Sequence, residues 1–200
     1  MDAAAEYGFD ALTIANHGAV LYTPVLQEYA AQRGILLIPG TEAKIEGKHV
    51  LIVNCEKACP TSLTFAELRA YVGEQALIIA PHPFYPRPYC LQEDAERNID
   101  LFDAIEYAHL HFRFFNLNRK AVALAHKYRL PLVGTSDTHR LGQLHSTYSL
   151  VDVEAVTIPA IVDAVRAHRV RVVTRPLSAR IFLQRSLYYL WGFLWKWSGD

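Results

Sequence analysis

Five short apolar runs in this chain end in residues that bind metal ions. Ala11–Ala15 runs into Asn16–His17, Ile35–Gly40 into Thr41–Glu42, and Ala76–Ala80 into Pro81–His82–Pro83. Phe102–Ile105 leads to Glu106, with His109 and His111 close behind. Leu132–Thr135 leads through Ser136 to Asp137–Thr138–His139. Runs of this length, bounded by turn residues, predict fully buried strands of a parallel sheet. Parallel α/β folds keep their chemistry at the carboxyl ends of their strands. An aspartate capping a turn beside a surface histidine explains one such ending; it explains five poorly. If the last strand continues through Asp137, its period of two puts Asp137 and His139 on one face.

Helical patterns separate the runs. Pro24–Arg33 carries proline near its first turn and Gly34 at its end. Thr64 and Glu67 form a capping box at the start of another helix. Longer helices are predicted over Arg113–Tyr128 and Pro159–His168, and Lys44–Val53 reads as a hairpin turning at Glu46–Gly47. Tyr148–Val153 and Val170–Thr174 read as further strands. No linker or repeat divides the pattern, so residues 1–176 are expected to form one α/β barrel or wound sheet. The chain opens as if in the last turns of a helix, Ala3–Glu6 stopped at Gly8, which suggests that a preceding element is missing.

The 20 basic and 20 acidic residues balance, so no overall positive field favours nucleic acid as a partner. Three cysteines, Cys55, Cys59 and Cys90, form no CxxC pair, and the opening residues lack the basic start and apolar segment of a secretory signal. Free thiols in a reducing, cytoplasmic setting are expected. Residues 177–200 form a separate aromatic tail. Within 181–197, Leu183, Leu187, Leu190, Trp191 and Leu194 share a helical face, too short and interrupted to span a bilayer. It suits packing on the body, self-association, or peripheral contact with a membrane surface.

His17, Glu42, His49, His82, Asp137 and His139 are the candidate metal ligands. Imidazoles offer neutral nitrogen and carboxylates offset the charge of the ion. A carboxylate such as Glu42 can bridge two ions, and two ions about 3.5–4 Å apart can clamp a phosphoryl group and activate water. The mixed donor set suits zinc, manganese or iron better than magnesium or calcium. Glu106 and His109 or His111 are candidates for supporting positions, His145 for substrate contact, and Arg87 and Arg140 for holding a phosphate.

Asn16–His17, Gly40–Thr41–Glu42, His49, Pro81–His82–Pro83 and Gly134–His139 resemble, in order and spacing, the motifs of the PHP (polymerase and histidinol phosphatase) superfamily. The resemblance runs to about Thr174. It implies a distorted (β/α)7, TIM-like barrel with two or three metal ions that hydrolyses phosphoesters of small phosphorylated substrates through a metal-bound hydroxide. It implies that Glu42 bridges ions, that His49 and His82 complete one ion's shell, and that Asp137 binds another. His17 and His139 would serve a third position or the substrate phosphate. Two features depart from it. The family opens with a strand bearing His-x-His, which nothing here matches, and Asn16 stands where aspartate is usual. An incomplete barrel, truncated before its first strand, is therefore expected. The alternative function is a catalytically impaired or regulatory barrel, with or without membrane-surface attachment through its tail.

Overall fold

The computed structural model describes residues 1–112, 115–139 and 141–176. The aromatic tail and Arg140 lie outside them. The elements run α1 (Asp2–Glu6), β1 (Ala11–Thr13), β2 (Ala15–Asn16), β3 (Ala19–Val20), α2 (Pro24–Ala31), β4 (Leu36–Ile38), β5 (Gly40–Ile45) and β6 (Lys48–Val53). They continue with α3 (Phe65–Val72), β7 (Leu77–Ala80), α4 (Asp94–Arg97), β8 (Ala104–Ala108), α5 (Asn118–Tyr128), β9 (Leu132–Thr135), β10 (Thr147–Val151), α6 (Ile158–Arg166) and β11 (Val170–Thr174).

A five-stranded sheet in the order β5-β6-β7-β8-β9 is the centre of the molecule. β5, β6 and β7 pair antiparallel, and β7, β8 and β9 pair parallel. The expected hairpin supplies the antiparallel half. Glu46 and Gly47 both have positive φ, 47° and 84°, as a tight two-residue turn requires. The capping box also forms: the Glu67 carboxylate accepts from the Thr64 amide at 3.0 Å and from its hydroxyl at 2.7 Å.

Alternation along the strands divides the core. Val50, Ile52, Ile78 and Ile105 point to one face and pack with Leu68 of α3 and Leu124 of α5. Leu51, Leu77, Ile79 and Val133 point to the other and meet Val162 and Val165 of α6. Burying an aliphatic side chain of this kind contributes about 1.5–3 kcal/mol. β1 pairs parallel with β4 in a separate two-stranded sheet packed on α1 and α2.

Among the described residues the strands do not close into a barrel. They form the five-stranded sheet and three two-stranded ones, β1-β4, β2-β3 and β10-β11. The free edge of β9 explains part of this. At Gly134 it meets a side chain, since its amide donates to Ser149 Oγ at 2.9 Å and its carbonyl accepts from that hydroxyl at 3.1 Å. A Cβ on Gly134 would lie 2.7 Å from the Tyr148 carbonyl oxygen, so glycine permits this approach. The far side, reaching β1, is cavity and not strand pairing.

At the amino ends of β7 and β8, away from the ligands, Asp103 ties three elements together. It accepts from the Ile78 amide at 2.8 Å, from Arg69 of α3 at 2.7 Å and from Arg166 of α6 at 3.1 Å. No helix among the described residues is long and apolar enough to cross a membrane.

Candidate metal centre

Glu42 is the hub. The apolar run before it breaks at Pro39, and the chain resumes as β5 at Gly40, so Glu42 sits inside a strand and not at the carboxyl end of one. It pairs across from Leu51. His49, two residues before Leu51 on β6, is its diagonal neighbour on the same face. His49 Nδ1 lies 3.0 Å from Glu42 Oε1. His82, just past β7, places Nε2 3.1 Å from the same oxygen. His17 reaches the other oxygen, Nδ1 to Oε2 at 3.2 Å. A single parallel bridge joins His17 to Glu42, the Gly18 amide donates to the Glu42 carbonyl, and the Thr41 hydroxyl donates to the Asn16 carbonyl at 2.9 Å. Backbone and side-chain contacts therefore dock the β2–β3 turn onto β5.

The Glu42 side chain is only 11% exposed. Burial alone would raise its pKa, but the His49 and His82 imidazoles beside it hold the carboxyl well below the ordinary range. Burial also works against charge on His82, yet Cys90, Glu42 and Glu106 push its pKa up to about 11. The donor atoms of His17, Glu42 and His49 all lie within 4.8 Å of one another. Although His49 Nδ1 is close to Glu42, it is buried and makes no well-directed hydrogen bond. Three imidazoles around one carboxylate, one with an orphaned ring nitrogen, fit a divalent transition metal.

Glu106, on β8, is fully buried beneath the cluster and accepts from the His82 amide and the Thr135 hydroxyl. Burial is the main cause of its raised pKa, about 7. That places it as a support for the backbone at His82, whose φ of 29° is unusual for a residue other than glycine.

The Asp137–His139 pair is built differently from the strand-end expectation. β9 stops at Thr135, and Asp137 turns at a φ of 41°, so a local turn and not strand alternation sets the two side chains. His139 Nδ1 lies 3.0 Å from the Asp137 carbonyl oxygen and 3.5 Å from its carboxylate. The His139 amide donates to Gln143. The rings of His17 and His139 are 6.5 Å apart. Asp137, His139, His17, Glu42, His82 and Glu106 all line one cavity of about 1110 Å³ that continues into apolar walls from β1, β7, β9 and α6.

Other expected site residues are more scattered. His145 lines the same cavity and stacks obliquely on Tyr7, with ring centroids 4.4 Å apart. Asn16 is exposed and contributes its carbonyl. His109 and His111 are buried beyond β8. Arg87 is exposed in the loop after His82. Two residues not among the expected ligands also enter the site: Cys90 and Tyr89, which contact His82 and His49.

Residues 116–170, from just before α5 to the start of β11, match the PHP-associated family model. Solved structures agree over most of the chain. One is a two-domain protein from Bacteroides vulgatus ATCC 8482 containing a predicted PHP-like metal-dependent phosphoesterase, at 20% identity and a TM-score of 0.63. The chain shares the fold of this PHP-like structure. The chain aligns over 83% of its own length with the Bacteroides protein but spans only 56% of that protein. PsfC from Pseudomonas syringae PB-5123 has a TM-score of 0.67 at 18% identity, covering 94% of this chain and 86% of PsfC. No curated protein matches significantly.

Proposed function

We propose that this chain is a metal-dependent phosphoester hydrolase domain acting on a small phosphorylated substrate. The observation that carries the reading is the convergence of His17, His49 and His82 on the Glu42 carboxylate at one end of a large cavity. Glu42, His49 and His82 would hold one ion, and Glu42 has a second oxygen, facing His17, for another. Asp137 and His139 would complete a multinuclear site. Zinc, manganese or iron fits these donors. When bound, the ions supply Lewis acidity that activates water and offsets charge at phosphorus.

The protein's own groups do the rest. His17 and His139 are the exposed imidazoles of the cavity, with side chains 59% and 68% accessible. They are placed to donate hydrogen bonds to the non-bridging oxygens of a phosphate, and one of them can hand a proton to the leaving oxygen. Glu106 keeps the backbone at His82 fixed, so that the ring need not reorganise as charge develops.

A second reading is a metal-binding domain without turnover. It is favoured by the way Asp137 pairs with His139, while the three imidazoles nearest Glu42 all approach that one carboxylate. Hydrolysis of p-nitrophenyl phosphate and its bis ester, with Mn²⁺ or Zn²⁺ added, separates the two. The hydrolase reading expects metal-dependent turnover that falls at least about 100-fold in Asp137→Ala. Metal uptake without turnover of any phosphoester would favour the second.

A further inference from the structure

We propose that the dipeptide Tyr89–Cys90 is a clamp that aims both imidazoles of the Glu42 shell, with Cys90 sulfur as the outer hydrogen-bond partner of His82 and the Tyr89 ring as the stacking platform of His49. The role of the clamp as a tuner of metal affinity rests on the metal-site reading above.

Cys90 is 1% exposed, and its Sγ lies 3.2 Å from His82 Nδ1, on the opposite side of the ring from the Nε2 that faces Glu42. A ring that ligates through one nitrogen needs the proton on the other, and that proton needs an acceptor. Carboxylates, carbonyls and water commonly serve; here a sulfur occupies the position. The Tyr89 ring lies parallel to His49, with centroids 4.4 Å apart and planes 20° from each other. The main chain adds to this, since the His49 amide donates to the Tyr89 carbonyl at 2.8 Å. Lys48, next to His49, fastens the same loop from below: its ammonium donates to the Pro88 and Cys90 carbonyls, each at 3.1 Å. One short loop thus fixes two ligands that come from β6 and from the end of β7. Tyr89 and Cys90 are positioning residues. Neither faces the cavity, and both act through the imidazoles they hold.

The test compares Cys90→Ala with Cys90→Ser, and Tyr89→Ala with Tyr89→Phe, in the whole chain. Zn²⁺ affinity is measured by competition titration. The hydrogen bond at His82 Nδ1 in the metal-free protein is read separately from the ¹H and ¹⁵N shifts of that ring N–H by NMR. Cys90→Ala and Tyr89→Ala are expected to weaken Zn²⁺ binding 10- to 100-fold, with circular dichroism unchanged. Cys90→Ser and Tyr89→Phe should recover most of that loss. In the metal-free wild type the His82 Nδ1 proton should carry the downfield signature of a hydrogen bond to sulfur, lost in Cys90→Ala. Zn²⁺ affinities within twofold of wild type in both alanine variants would overturn the clamp as a tuner of the site. So would an equal loss in Cys90→Ser and Cys90→Ala. A wild type that binds no Zn²⁺ but keeps the Cys90-dependent His82 signature would overturn the metal reading while supporting the clamp.

Discussion

Glu106 illustrates how much the site depends on single buried groups. Its carboxyl is buried, and its pKa rises from 4.5 to about 7 because burial penalises the charged form. In the metal-free protein the folded state therefore holds a proton that the unfolded chain releases between pH 4.5 and 7. Stability attributable to this residue is present below pH 4.5 and falls as pH rises through 7. Glu106→Gln removes that dependence. The stability difference between variant and wild type, from urea unfolding at pH 5 and pH 8, should shift in favour of the variant at the higher pH; a difference independent of pH would contradict the assignment. His82 behaves as an ordinary base with a raised pKa. Its contribution is fully present below about 6.5 and is lost only as pH climbs towards 11. At this scale the sequence was readable for four candidate ligands that the structure brings together. Glu42, His49, His82 and His17 do converge. Cys90 was not readable as a partner of His82, because no spacing rule links a cysteine to an imidazole across a folded loop.

The elements place these residues with different degrees of security. The β5–β6 hairpin was legible from Glu46–Gly47 and the apolar residues around it, and it carries Glu42 and His49 in fixed register. The ends of β4 and β9 were less legible. Pro39 breaks the run before Glu42, and β9 stops two residues short of Asp137, since local turn geometry overrides a pattern of alternating side chains. The α5 helix begins at Asn118, not Arg113, because Asn118 is buried and bonds the Ala108 backbone through both amide atoms. Asp103 had no sequence signal, yet it joins α3, β7 and α6. Replacing it with alanine leaves the Arg69 and Arg166 guanidiniums without their shared carboxylate. Chemical denaturation of Asp103→Ala should show a loss of about 2–3 kcal/mol, while metal affinity per folded molecule stays unchanged. A cost below about 0.5 kcal/mol would show that the three-way contact is dispensable.

For the molecule as a whole, the mixed α/β class was legible from strands alternating with helices, but barrel closure was not. Closure depends on pairing at the outer edges of β1 and β9, and a list of strands does not specify edges. In the described residues β9 meets the Ser149 side chain of β10, and the region between β9 and β1 is cavity. With the candidate ligands gathered around an opening, the proposed metal site predicts that a bound ion stabilises the fold. An ion that binds only the native state, at 100 times its dissociation constant, stabilises by about 2.7 kcal/mol, which raises the melting temperature by roughly 5–11 °C for a domain of this size. Calorimetric melts with and without Mn²⁺ or Zn²⁺ at pH 7.5 check this. The shift should shrink at pH 5, where protons compete for the imidazoles. An equal shift at both pH values would point to binding elsewhere.

The most direct measurement is the metal content of the purified chain, determined by elemental analysis after loading with Zn²⁺ or Mn²⁺ and removal of free ion, beside the same measurement on Glu42→Gln. The charge-neutral glutamine keeps the shape of the side chain but cannot offset the ion's charge between His17, His49 and His82. At least one equivalent retained by the wild type, and a small fraction of that by folded Glu42→Gln, is the predicted result. Equal retention by the two proteins, or none by the wild type, would contradict a metal centre built on Glu42.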